Sequence, residues 1–406
     1  MIRRDAARAG RILLLAIAVA LAPLRVATAD PPPGVLPPPA GAGRDATVGL
    51  RIEKALNRRD SAALQALVDP GAMIDHALAD LTLPSLQSTA IREGAMGGLG
   101  QLSRNAITLI ARQGGVARLM KSLPGEAHDR HLVRIVFHDE DGTVSGLEYL
   151  DFLTGDNGLV HDWFSHAQGE WMSGRARTLL ITMTAEPGNH PQLFGSRSFD
   201  TEALSTLVTF AGQYHSGNTA AAHRTLDALP DTFRATRTWA SLRATVASDL
   251  DPETYQASLQ HLGDRFGKAD DLQFQLFDLH VLNGEPDKAL AALRRFERST
   301  IEDGHTNRLK CLIAADAGDL EAATGHCRRS IQLEPQVEDA WWALAGLGNL
   351  GNDAGLVLDA LDGLEWHFGM DFDPSELLRI DDYGWLKGSP EFKRWAAPRR
   401  IRHARW

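Results

Sequence analysis

Apolar positions change their period twice along the chain. Leu50, Ala55, Leu56, Ala63, Leu64, Leu67 and Val68 recur at helical spacing, interrupted at Arg58-Arg59-Asp60, where Asp60 or Ser61 suits a helix cap. Asp69-Pro70-Gly71 reads as the end of this stretch, and two more helical stretches are expected near 84–93 and 99–112. The period then falls toward two. Residues 132–137, 144–153 and 159–165 read as strands, joined by turn signals at Asp141-Gly142 and Gly155-Asp156-Asn157-Gly158. Helices followed by an antiparallel meander predict an α+β domain over 47–184. A segment with Pro187, Gly188, Pro191 and Gly195 reads as a linker over 185–199, after which the helical period returns in pairs.

The clearest pair spans 304–335: a helix, a tight turn at Ala317-Gly318-Asp319, a second helix and a stop at Pro335. Gly284 lies 34 residues before Gly318, Gly351 lies 33 after it, and Gly217 lies 67 before Gly284. The last interval holds two repeat lengths, with the middle turn at Asp249-Leu250-Asp251-Pro252. Such a period marks a helical solenoid, because a pair this small cannot bury its apolar face without neighbours.

Cys311, Ala323 and Pro335 stand where the tetratricopeptide repeat family places its small, alanine and proline positions; Leu276, Phe277, Gly284 and Ala289 fit the preceding unit, and Trp341, Leu344 and Ala345 the following one. Residues 200–366 therefore resemble that family, with Lys310 standing where an apolar residue is expected. The resemblance implies an all-α C-terminal array whose first helices line a concave face that grips a protein or peptide, and by position it assigns Asp278, Arg308, Trp342 and Asn349 to that face. It also implies that Cys311 and Cys327 face each other across one helix pair. Two readings stay open for them: a disulfide, or two buried thiols, since packed helix axes about 8–10 Å apart stand against the roughly 7 Å limit on bridged Cα atoms. The order of elements in 47–184 resembles the cystatin-like cone of nuclear transport factor relatives, which implies a pocket. Gly169-Glu170-Trp171-Met172-Ser173 resembles segments that close sheet domains ahead of repeat arrays in bacterial secreted proteins.

Residues 1–29 carry Arg3, Arg4, Arg8 and Arg11, the apolar run Ile12–Leu24 and then Ala27-Thr28-Ala29, the layout of a secretory signal cleaved near Ala29. At 13 residues the run is short for a membrane span. The proline-rich stretch 30–46 reads as an extended spacer. These features predict a periplasmic or secreted bacterial protein. The net charge of −10 falls to about −14 without the signal, which argues against nucleic acid as a partner. Residues 367–406 are expected to cap the array through Phe392 and Trp395 and to end in a basic tail of Lys393, Arg394, Arg399, Arg400, Arg402 and Arg405. That tail suits contact with an anionic membrane, a return onto the acidic array, or a solvated end.

The densest titratable group is His161-Asp162-Trp163-Phe164-Ser165-His166, with Glu148 on the neighbouring strand. Strand alternation puts His161 and Asp162 on opposite faces, so they cannot form a base and its orienter; either one facing an apolar pocket would serve as a general base. Phe137-His138-Asp139-Glu140-Asp141-Gly142 resembles a calcium loop only in part, since Phe137 offers no oxygen at the first ligand position. His128, His131 and His138 lack a companion cysteine cluster, and no metal or cofactor is expected. The leading reading is a non-enzymatic interaction protein; the alternative is a small hydrolase or isomerase using His161, Asp162 and Glu148 in the N-terminal pocket.

Overall fold

The computed structural model describes residues 46–79, 115–125, 128–138, 144–174, 177, 206, 209–210, 212–214, 216–229 and 231–403. The stretch read as a secretory signal, most of that read as a spacer, the helices expected near 84–93 and 99–112, the stretch 185–199 read as a linker and the last three residues lie outside the described residues. No helix among the described residues is long and apolar enough to cross a membrane. The chain forms two compact units that part between Leu279 and His280.

The first unit opens with α1 (Ala46–Asn57), α2 (Ser61–Leu67) and α3 (Pro70–Leu78). Asp60 caps α2 by accepting the Ala63 amide at 2.9 Å, and Asp69 caps α3 by accepting the amides of Gly71 and Ala72 at 2.9 and 3.1 Å. Asp69-Pro70-Gly71 therefore ends α2 and also starts a helix. Proline at the first helical position has its φ already set and loses no hydrogen bond, so the tripeptide is a start signal where the sequence pattern suggested only a stop.

Five strands follow in a single antiparallel meander: β1 (Val116–Leu123), β2 (Asp129–His138), β3 (Val144–Thr154), β4 (Val160–Ser165) and β5 (Glu170–Trp171). The edge strands β1 and β5 were not among the strands the periodicity marks. Ile52, Leu56, Leu64, Leu67 and Met73 from the helices share one core with Leu119, Val133, Ile135, Leu150, Phe152 and Trp163 from the sheet. The opposite face carries Tyr149, whose ring meets Phe274 edge-on at 5.4 Å. Cover on both faces explains why burial runs unbroken from His131 to Val136 on β2 instead of alternating.

The same unit continues through α4 (Thr219–Asp227), α5 (Asp231–Arg234), α6 (Arg237–Ala247), α7 (Pro252–Phe266) and most of α8 (Gln273–Leu282). The β4–β5 turn docks on these helices. Gln275 donates to the Ala167 carbonyl at 2.9 Å, Arg237 donates to the Gly169 carbonyl, and Thr238 to the Glu170 carboxylate.

The second unit holds α9 (Pro286–Ser299), the pair α10 (Gly304–Asp316) and α11 (Leu320–Leu333), the pair α12 (Glu338–Leu350) and α13 (Ala354–Phe368), then α14 (Pro374–Leu377) and α15 (Pro390–His403). The second helix of each pair begins at Asn218, Asp251, Glu285, Asp319 and Asp353, caps spaced 33 or 34 residues apart along the chain. The preceding residue takes a left-handed backbone at Gly217, Gly284, Gly318 and Asn352. Asn352 fills this role where sequence spacing pointed to Gly351, and asparagine is among the few residues that tolerate it. Lys310 is buried at an apolar position of the repeat because its ammonium meets the Glu297 carboxylate at 2.6 Å.

Cys311 and Cys327 are bonded across α10 and α11, both fully buried, with Cα atoms 5.2 Å apart. They sit among Ala314, Ala323, Ala343 and Ala345, side chains small enough for the backbones to approach inside the usual helix spacing. A loop of this length contributes about 3 kcal/mol by restricting the unfolded chain. Paired Cys311→Ala and Cys327→Ala changes are thus expected to lower unfolding stability by about that amount in urea titration, and the unmodified protein, denatured without reductant, should yield no alkylatable thiol.

The C-terminal segment closes the array. Phe372, Leu377, Tyr383, Leu386, Phe392 and Trp395 pack onto Val357, Leu361 and Leu364 of α13. Arg399 stacks 4.0 Å over Trp395, donates to Asp362 at 2.6 Å and binds Glu365. Its side chain is largely buried, so these bonds are little screened. Arg399→Ala is expected to cost about 2 kcal/mol, read as a fall in the urea midpoint with little change in helical signal.

Candidate functional site

The turn between β3 and β4 is built by Gly155, Asn157 and Gly158: Gly155 and Leu159 pair across it at 3.0 Å, Asn157 Oδ1 accepts the Leu159 amide at 3.0 Å, and Gly158 takes φ +68°. Beyond it the ladder slips. Thr154 pairs with Val160 and Leu153 with Asp162, which leaves His161 as one extra residue on β4. A bulge of this kind re-aims the side chain it carries. The His161 ring lies over Gly155, where an added Cβ would fall 2.1 Å from Cε1, so only glycine leaves the ring its place.

Helix α3 is tied to the same end of β4 by the Asp69 amide, which donates to the Val160 carbonyl at 2.8 Å. This bond fixes the start of α3 beside the bulge and carries His76 to the strand edge. His128 enters from the residue before β2. The three rings meet edge to face, with centroids 5.2 Å (His76–His128), 5.4 Å (His128–His161) and 6.3 Å (His76–His161) apart. One ring nitrogen of each lies within 4.8 Å of the others, and all three residues are half-buried. Asn157 Oδ1 is 3.2 Å from His161 Nε2, and Asn157 Nδ2 donates to Asp69 at 3.4 Å. Burial holds the His161 pKa below its ordinary value; Asp69 opposes this, and His128 and His76 add to it.

Asp162 is buried and accepts hydrogen bonds from the Ser173 amide at 3.0 Å, the Ser173 hydroxyl at 2.5 Å and the Trp163 amide at 2.9 Å. Its carboxylate also lies 3.8 Å from His76 Nδ1. Desolvation pushes its pKa up, against the lowering effect of the Ser173 bonds. Glu148 is placed apart from both. It accepts the Ser165 hydroxyl at 3.0 Å and the Ala167 amide at 3.2 Å, at the far end of the β3–β4 pair. His161 and Asp162 thus share a neighbour in His76, a residue the sequence analysis did not single out.

The residues assigned to the concave face are held within the chain. Asp278 accepts the Tyr255 hydroxyl at 2.7 Å in the first unit. In the second, Arg308 of α10 pairs with Asp339 of α12 at 3.0 Å, and Trp342 donates to Glu338 at 3.0 Å while meeting Phe372 edge-on. Asn349 accepts from Trp385 at 2.6 Å, beside a surface cleft of about 530 Å³ lined by Gly351, Asn352, Asp353, Ser389 and Glu391. Arg308 and Trp342 therefore lie on neighbouring first helices, whereas Asn349 is taken up by the C-terminal segment.

The fold defines a helical-repeat protein that also carries a five-stranded antiparallel sheet. No family model matches the sequence, and no curated protein is similar to it. Among solved structures, the chain is similar to MamA protein, at 12% identity over 43% of this chain and 94% of that one with a TM-score of 0.35. It is similar at the same TM-score to PilW, a widely conserved type IV pilus biogenesis factor, at 13% identity over 50% of this chain and 94% of that one. Neither likeness is close enough to carry a function across.

His166, just past β4, is nine-tenths buried against the Phe164 ring, and burial, with a smaller contribution from Arg130, holds its pKa down to about 3. The unfolded imidazole titrates near 6.5, so the unfolded state takes up a proton first as pH falls. The folded unit is expected to be fully stabilised by this group above about pH 6.5 and to lose that stability progressively toward pH 3. Urea midpoints measured across this window, with a flatter profile for His166→Gln, check the assignment.

Proposed function

We propose that this is an exported bacterial interaction protein whose helical array holds a protein or peptide partner. The observation that carries the reading is on the first helices α10 and α12, where Arg308 pairs with Asp339, its side chain largely buried, and the half-buried Trp342 follows Asp339 by one helical turn. Tryptophan and arginine are among the residue types most enriched where protein interfaces gain their affinity. The bonded Cys311–Cys327 pair supports an oxidising compartment, periplasmic or extracellular. Arg399, turned onto Asp362 and Glu365, favours a tail folded back on the array over one offered to an anionic membrane.

The sheet domain, read as a cone-like α+β fold, holds a ligand of its own in this proposal. A hydrolase or isomerase reading has less support, since Asp162 and Glu148 are each held by backbone amides and lie at opposite ends of the strand pair.

Capture from an envelope extract by the full chain, followed by cross-linking and mass spectrometry, tests the array. Cross-links are expected on α10 and α12, and Arg308→Glu should weaken capture at least tenfold while leaving the circular dichroism spectrum unchanged. Capture that maps to the sheet and survives Arg308→Glu would overturn the reading.

A further inference from the structure

The three imidazoles at the β4 bulge come from three separate elements: His76 from α3, His128 from the entry to β2, and His161 from β4. Such convergence of half-buried imidazoles needs a reason, since each ring gains little from meeting another by its edge. Two local devices hold the group together: the bulge with its bare Gly155 seats His161, and the Asp69–Val160 backbone bond fixes α3. Behind His76, Asp162 lies 3.8 Å from Nδ1 and is itself fixed by Ser173. At 3.8 Å the carboxylate is beyond hydrogen-bond range of the ring, and it places negative charge beside the three imidazoles, which favours a cation there.

We propose that His76, His128 and His161 bind one divalent transition-metal ion of the zinc class. Imidazole nitrogen suits zinc, copper, nickel and iron and excludes magnesium and calcium, which take oxygen ligands. With metal–nitrogen bonds of about 2.0–2.1 Å, tetrahedral geometry sets ligand nitrogens roughly 3.3 Å apart. Nitrogens that already lie within 4.8 Å of one another need to close by only roughly an ångström each, which side-chain rotation supplies. Three protein ligands leave a fourth position for water or a small oxygen or nitrogen donor, the open form of zinc site. The three histidines lie on elements that precede the repeat array in the chain.

The full chain, stripped with chelator and dialysed against zinc or cobalt chloride, tests this. Mass-spectrometric metal analysis is expected to find one ion per chain, and cobalt to give the visible absorption of a tetrahedral nitrogen site. His76→Ala, His128→Ala and His161→Ala should each weaken binding at least tenfold, while His138→Ala, at the exposed end of β2, leaves it unchanged. Should an alanine variant fail to fold, His128→Gln and the cobalt spectrum of the unmodified chain serve instead. Absence of stoichiometric metal, a cobalt spectrum of octahedral aquo type, or equal binding by the three variants and the unmodified chain would overturn the proposal.

Discussion

A carboxylate or amide side chain that accepts the first free amides of a helix decides where this chain turns, in both units. Asp60 and Asp69 set the entry of α2 and α3 beneath the sheet, and Asn218, Asp251, Asp319 and Asp353 set the second helices of the pairs. Each satisfies donors that a helix end leaves open and favours one direction of entry. Because the left-handed residue stands immediately before the cap in four of the pairs, the turn and the next helix are fixed together. Asp303 adds a reciprocal version, exchanging bonds with Thr306 at the start of α10.

That device is local, which is why the array was legible. The spacing of Gly217, Gly284 and Gly318 lies within a few residues of the caps, and the turn expected around Asp251 coincides with one. Asn352 in place of Gly351 was missed only by one residue, since glycine and asparagine both occupy left-handed positions. Lys310 looked like a departure from the repeat until its partner, Glu297 on the preceding helix, was in view.

The site at β4 was legible only in fragments. His161 and Asp162 stood out as titratable residues, but alternation assumes an unbroken ladder, and the bulge at His161 is a property of the pairing with β3, not of the strand's own residues. His76 escaped because Asp69-Pro70-Gly71 carries two meanings, and the terminating one concealed a helix of nine residues. Glu148 belonged by sequence to the same neighbourhood, yet antiparallel register carries it to the opposite end. Long-range register, rather than composition, separates the residues that meet from those that merely sit nearby in sequence.

The bridge between α10 and α11 also changes how the array responds to pulling. A stack of helix pairs behaves as a spring whose coils peel apart one after another under tension, each releasing its hidden length. The 16-residue separation between Cys311 and Cys327 holds back roughly 55 Å of contour, because the covalent link carries the load past the enclosed segment. Under tension the segment enclosed by the two cysteines therefore stays closed while the helices outside it extend.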